Sequence, residues 1–316
     1  MKHLQKNKNI SHFSNFKTKA HAQYFFEIQC EDDVKILQEI IDFAKQNKLP
    51  LLFIGGGTNM LFAFETFEGI VIKNSLQGWK YDENTKILEV FSNELISDIA
   101  ESLEKDFGQD LWHRFIGLPG SVGGAVFGNA GCFGLETENN LVEVTAYNLK
   151  TGQIEILGKE DCEFSYRNSV FKQTQEYFII KATFDLSEKI EKYHSDVDNL
   201  YFREYKQPKG NTCGSFFKNP TVDRQKFFAN FPQFCEENVK SVSAGFLLEQ
   251  SGFKGFHLGK AFFSDLHSNF LMSEDNGNYR DLLDLIALAQ KTVQEKFGIE
   301  LEPEVRIVGE NGELRS

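Results

Sequence analysis

Ile54-Gly55-Gly56-Gly57-Thr58-Asn59-Met60-Leu61 closes a short apolar run that begins at Leu51. Further along, Gly117-Leu118-Pro119-Gly120-Ser121-Val122-Gly123-Gly124-Ala125 is followed by Asn129-Ala130-Gly131 and Gly134. Glycine totals 25 of 316 residues, an ordinary share, so its placement in two clusters carries the information rather than its abundance. Glycine opens positive φ and leaves no Cβ in the way of a ligand. Successive amides in such turns form a concavity that accepts anions. Two such loops, with Asn, Ser and Thr interleaved, fit an extended phosphate-bearing ligand such as a dinucleotide. The common alternatives fail on spacing. Met60 stands where G-x-G-x-x-G needs its third glycine, and no P-loop, H-E-x-x-H or G-x-S-x-G pattern occurs anywhere.

Outward from these loops the chain alternates helical and strand patterns. Val34, Leu37, Ile41 and Ala44 share one helical face, with Asp32 and Asp33 suited to the positive start. Leu95, Ile99 and Leu103 form a second such face that ends near Gly108. A third helix is predicted over residues 279–297, through Leu282, Ile286, Ala289 and Val293, stopping at Gly298. Strands are predicted at residues 51–54 and 176–186. Residues 141–149 and 153–157 form a hairpin around Lys150-Thr151-Gly152. Mixed helices and an antiparallel hairpin indicate an α+β fold rather than a doubly wound parallel sheet. The polar stretch 187–209 reads as a connection between domains.

The composition, 41% hydrophobic and 25% charged, is that of a globular chain and excludes a disordered or collagen-like one. Lysine and arginine number 34 against 46 acidic residues, for a net charge of -12, which argues against nucleic-acid or anionic-membrane binding. Cys30, Cys132, Cys162, Cys213 and Cys235 are odd in number, and no two have zinc-knuckle spacing. Neither a disulfide framework nor a metal site is therefore expected. No apolar run approaches the roughly 18 residues of a membrane span. The opening Met1-Lys2-His3-Leu4-Gln5-Lys6 is polar, so the expected location is the cytoplasm.

Both glycine motifs resemble the FAD-binding part of the UDP-N-acetylenolpyruvoylglucosamine reductases. Three further stretches resemble the same family in the same order. They are Tyr166-Arg167-Asn168-Ser169-Val170-Phe171-Lys172, Gly214-Ser215-Phe216-Phe217-Lys218-Asn219-Pro220 and Leu301-Glu302-Pro303-Glu304-Val305-Arg306. Together the matches span nearly the whole chain. The resemblance implies a two-lobed FAD-binding domain of the PCMH/vanillyl-alcohol-oxidase-like type with a C-terminal α+β substrate-binding domain. Residues 1–75 would form the first lobe, completed by 290–316, and 76–207 the second. Residues 208–278 would bind substrate, and 279–316 would supply a helix and strand returning to the FAD site.

The same resemblance implies the chemistry: an NADPH-dependent flavoenzyme that reduces an enolpyruvyl ether on a UDP-sugar to a lactyl ether, giving UDP-N-acetylmuramate for peptidoglycan. FAD would be the cofactor and NADPH the co-substrate. Gly55, Gly56, Gly57, Thr58, Asn59, Met60, Leu61, Pro119, Gly120, Ser121, Gly123, Gly124, Ala125, Asn129, Ala130, Gly131 and Arg306 would bind the cofactor. Ser215 would donate a proton to C2, Arg167 would polarise the substrate carboxylate, and Glu304 would hydrogen-bond it. Lys206, Lys218, Asn219 and His267 would contact substrate, with Lys206 opposite the diphosphate. A monomer or weak dimer is expected, without a nucleic-acid or membrane partner.

Read singly, each of these residues has a plainer role: Ser215 a loop hydroxyl, Arg167 a surface arginine at a hairpin end, Glu304 a strand-edge carboxylate, His267 a satisfied structural histidine. Three positions depart from the family pattern. Cys213 replaces an alanine, Asn168 an aspartate beside Arg167, and Ser273 an asparagine. The connection 187–209 lacks the tyrosine-bearing insertion of the longer family type. Tyr201 and Tyr205 are not assigned its role. Two other readings share these features: a flavin oxidase or dehydrogenase of an alcohol or hydroxy acid, and a nucleotide-binding relative without chemistry.

Overall fold

The computed structural model describes residues 3–188, 199–234, 242–312 and 314–315. Cys235 and residues 189–198 of the polar connection lie outside them. The chain divides into two compact units, Met1–Lys8 with Ala22–Thr58 and Phe67–Tyr205, and Asn9–His21 with Asn59–Thr66 and Lys206–Ser316. It is an α+β protein, as the mixed patterning requires.

In the first unit, Val34, Leu37, Ile41 and Ala44 are all buried. The single helix expected there is instead two, Glu31–Val34 and Leu37–Asn47. The Asp33 carboxylate accepts the amides of Gln29 (2.8 Å) and Cys30 (3.1 Å), which tightens the first turn. The amides of Lys35 and Ile36 then bond only three residues back, so the α-helical ladder stops before restarting at Leu37. The next helix, Ile96–Phe107, ends on Gly108 at φ 62°. Leu95, expected on its apolar face, is exposed because it is the extended N-cap residue; Ile96, Ile99, Ala100 and Leu103 are the buried set.

A five-stranded antiparallel sheet runs in the order Gln153–Gly158, Leu141–Asn148, Tyr177–Asp185, Ile87–Phe91, Trp79–Asp82. Asn148 pairs with Gln153, so the hairpin loop is one residue longer than Lys150-Thr151-Gly152 alone. Leu149 leaves the ladder because its amide bonds the Glu176 carbonyl at 2.7 Å. Trp112, 1% exposed, packs edge-on against Phe184 and Phe115 at the centre of this sheet's core. A second sheet orders Gln5–Asn9, His21–Ile28, Thr66–Asn74 and Leu51–Ile54. Its last pair is parallel and sets Ile54, the residue before the first glycine loop, opposite Lys73.

In the second unit the helix Tyr279–Phe297 buries Leu282, Leu285, Ile286, Ala289, Val293 and Phe297 and ends on Gly298. It packs over a sheet ordered Asn211–Ser215, Phe270–Ser273, Ala261–Phe263, His257–Leu258. A smaller sheet pairs Met60–Phe62 in parallel with Arg306–Val308. Phe263 of the larger sheet shares one core with Phe216 and Phe217, which follow the strand Asn211–Ser215, and with Phe227 of the short helix Arg224–Asn230. Among the described residues no helix is long and apolar enough to cross a membrane.

Candidate active site

The two glycine loops meet within the first unit. A Cβ on Gly55 would stand 3.3 Å from Ser121 Oγ, and one on Gly56 3.6 Å from the Ser121 amide nitrogen. Gly120, at φ 129°, would bring a Cβ to 3.1 Å from Thr58 Oγ1, a backbone conformation open to glycine alone. Among the described residues, the amides of Gly56, Gly57, Thr58, Gly120 and Ser121 donate to no protein acceptor. Bare main-chain donors lining a cradle that Cβ atoms would fill are what the diphosphate of FAD requires, so these residues fit that group.

The remaining glycine-loop residues hold this cradle in shape. Ser121 caps the short helix Val122–Gly128 by accepting the Gly124 amide at 3.3 Å. Gly123 donates its amide to the Ser92 carbonyl at 2.7 Å, and a Cβ there would lie 2.7 Å from Ser92 Cβ. Asn74 reaches from the strand Thr66–Asn74 to Ser92 Oγ at 2.6 Å, which anchors that contact from below. We therefore expect Gly123→Ala to cost about 1–3 kcal/mol by overpacking. A lowered thermal midpoint and weaker FAD uptake, both followed by flavin fluorescence, would register the loss.

Asn129 is fully buried and ends the same helix at φ 43°. Its amide nitrogen Nδ2 donates to Glu138 Oε1 (2.9 Å) and to the Ser165 carbonyl (3.1 Å). Those bonds make it a strut of the loop. Its own carbonyl and that of Gly131 face Arg167, whose Nη2 donates to Gly131 O at 2.8 Å and Nη1 to Asn129 O at 3.4 Å. Arg167 sits in a turn closed at both ends by main-chain bonds between Ser165 and Asn168, at φ 57°. A non-glycine residue rarely holds that conformation unless its surroundings impose it. Asn168, the departure beside the arginine, thus contributes through its backbone. Lys172 Nζ donates to the Arg167 carbonyl at 2.8 Å.

The second unit brings Ser215 and Glu304 together. Thr212 pairs with Met272 and Ser215 with Phe270, so two residues, Cys213 and Gly214, oppose Leu271 alone. This bulge, with Gly214 at φ 84°, turns the strand end on which Ser215 stands. The next residue, Phe216, accepts the Glu304 amide at 2.7 Å, while Lys218 donates its amide to the Glu302 carbonyl. Asn59 clasps the same segment: its Nδ2 donates to Glu304 O at 3.2 Å, and its carbonyl accepts the Arg306 amide at 3.1 Å. Met60 and Leu61 follow in the parallel pairing with Arg306 and Ile307. Burial lowers the Arg306 guanidinium to about 10. Cys213, partly buried, donates to Met60 O at 3.6 Å, and desolvation pushes its thiol up to about 12, so it stays a thiol.

The four expected substrate contacts differ in what occupies them. Lys206 is exposed just beyond the helix Asn199–Tyr205. Lys218 Nζ is paired with the Glu302 carboxylate. Asn219 Oδ1 accepts the Ala244 amide at 3.1 Å, holding the start of the helix Ala244–Gln250. His267 Nδ1 accepts the Asn269 amide at 3.2 Å, and burial lowers its pKa, which leaves a neutral ring with its proton on Nε2. The sequence reading passed over Ser14, Asn74, Ser92 and Glu136. Ser14, for example, is fully buried and donates to the Met60 carbonyl at 2.7 Å. No local pattern marks such residues, because each acts through a partner distant in the chain.

The model of the UDP-N-acetylenolpyruvoylglucosamine reductase C-terminal domain matches residues 205–308, and that of an FAD binding domain matches residues 24–158. The chain is 33% identical to UDP-N-acetylenolpyruvoylglucosamine reductase 2 of Bacillus cereus, covering 98% of this chain and 94% of that protein. It is 32% identical to the reductase of Synechocystis, covering 97% and 91%. The crystal structure of the reductase from Thermus caldophilus superposes with a TM-score of 0.71 at 23% identity, over 96% of this chain and 99% of that one, a likeness of fold. With both halves matched in order and relatives this similar along their whole length, the chain belongs to the UDP-N-acetylenolpyruvoylglucosamine reductase family.

Proposed function

We propose that Arg167, Ser215 and Glu304 carry the catalytic work of this chain, with the glycine loops, Asn59 and Arg306 serving the cofactor. The chain is an NADPH-dependent flavoenzyme that reduces the enolpyruvyl ether of UDP-N-acetylglucosamine enolpyruvate to UDP-N-acetylmuramate in peptidoglycan synthesis. When bound, FAD supplies to C3 of the substrate a hydride that originates on NADPH. Addition at C3 leaves carbanion character at C2, spread into the adjoining carboxylate. The planar, permanently charged fork of Arg167 suits that carboxylate, and stabilises it more as its charge grows. The Ser215 hydroxyl gives its proton to C2. Serine is a weak acid, but a carbanion is a stronger base than an alkoxide, so the transfer runs downhill when the geometry is met. Glu304 hydrogen-bonds the carboxylate on the side of Ser215.

The bond from the Glu304 amide to the Phe216 carbonyl supports this reading most, since it sets Glu304 beside Ser215 although the two lie in separate motifs. Lys206, exposed and carrying a point charge, is the assigned partner of the UDP diphosphate. Lys218 and Asn219 serve the substrate by shaping its wall through Glu302 and Ala244. A cytoplasmic location and a monomer or weak dimer complete the reading, and the net charge of -12 argues against nucleic-acid or anionic-membrane partners. The test is an absorbance scan of pure protein followed by anaerobic NADPH, then enolpyruvyl substrate. Flavin bands that bleach with NADPH and return with substrate are expected. A colourless protein that takes up no FAD would overturn the reading.

A further inference from the structure

Arg167 is anchored on two carbonyls of the turn 129–131, and that turn carries more than its backbone. Gly131 pairs with Glu136 in the small antiparallel ladder formed by Gly131–Cys132 and Leu135–Glu136. A Cβ on Gly131 would stand 2.8 Å from Glu136 Cγ and 3.3 Å from Arg167 Nη1. The glutamate stem and the guanidinium therefore lie together over one bare α-carbon, and any side chain at position 131 would push them apart. Glu138 approaches from the following turn, Thr137–Asn140, held by Asn129 Nδ2 at 2.9 Å and by its own amide to Asn129 Oδ1 at 3.2 Å. Asn139 Oδ1 accepts the Glu136 amide at 2.8 Å, fixing the backbone between the two carboxylates.

We infer that Glu136, in partnership with Glu138, is the positioning residue for Arg167, holding its guanidinium over Gly131 and setting how much positive charge it offers the substrate carboxylate. The inference rests on the catalytic reading of Arg167 given above. Burial first, then the hydrogen bond and charge of Glu138, raise the pKa of Glu136, whereas Arg167 and Asn129 lower it. Burial and the neighbouring Glu138 thus let Glu136 keep its proton to higher pH than a free glutamate would. With Glu136 protonated, the pair presents one negative charge to Arg167. Once the proton leaves, it presents two, and the pull of Arg167 on an incoming carboxylate weakens. Among the described residues, the charged groups facing this cluster include Lys172 on the Arg167 carbonyl, and Arg114 and Arg203, which flank Cys132 on the adjoining strand. Glu136 supplies the change with pH.

Glu136→Gln keeps the side-chain volume and its hydrogen bonds but cannot lose a proton. In the FAD-loaded parent the KM for the enolpyruvyl substrate is expected to rise about fivefold with pH as the pair ionises, a modest electrostatic coupling. In Glu136→Gln that rise should be absent and KM should stay near the parent's low-pH value. Glu136→Ala should raise KM at every pH, and Glu138→Gln should flatten the profile as Glu136→Gln does. Flavin bleaching by NADPH, which does not use the substrate carboxylate, should be unchanged in all three. A Glu136→Gln profile that superimposes on the parent's, or a Glu136→Ala KM equal to the parent's, would sink the inference. Arg167→Met run in parallel separates the two ideas. Loss of turnover there with no effect at Glu136 overturns only the positioning role, whereas normal turnover in Arg167→Met removes the reading beneath it.

Discussion

Ser215→Ala should still accept hydride from NADPH, bleaching its flavin at the parent's rate, yet turn over the enolpyruvyl substrate about 10²–10⁴-fold more slowly. That range is the usual contribution of a positioned proton donor. The substitution is clean on structural grounds. Ser215 pairs with Phe270 through the main chain, and the bulge that turns its strand depends on Gly214 and on Thr212, whose Oγ1 donates to Leu271 O at 2.7 Å. Alanine leaves all of these in place. Separating the two half-reactions by stopped-flow absorbance therefore isolates the proton. Slowed bleaching would mean that the loop itself had been disturbed. Full turnover would place the proton on some other group.

Arg167→Met should lower kcat by about 10²–10³, the typical loss when one preorganised donor to a developing negative charge is removed. Methionine matches the stem but offers no fork, and both residues meet the same backbone constraint at φ 57°, so the comparison reports the guanidinium alone. Arg167→Lys should recover little, because an ammonium cannot reproduce two parallel bonds to a carboxylate. Steady-state kinetics with varied enolpyruvyl substrate should show kcat/KM falling further than kcat, because KM rises with loss of the ground-state contact while kcat falls with the part of the bond made only in the transition state. A rise in KM alone would assign Arg167 to binding only.

What could be read along the chain is what short-range physics controls. The helices at Ile96–Phe107 and Tyr279–Phe297 follow from apolar spacing near 3.6 residues and from Gly108 and Gly298, each able to take positive φ at a helix end. The glycine loops were legible for the same reason: absence of a Cβ is a local property, and the cradle of Gly55, Gly56 and Gly120 depends on it. Even locally the reading had limits, since the break at Lys35 and Ile36 turns on where the Asp33 carboxylate points. The tertiary structure alone decided the neighbours: Glu304 against Phe216, Asn59 clasping residues 304 and 306, Asn74 under Ser92, Glu136 over Gly131 beside Arg167. Those contacts join residues that no periodicity relates. They form because buried polar groups must find partners once the cores have closed, and closure brings distant segments within reach of one another.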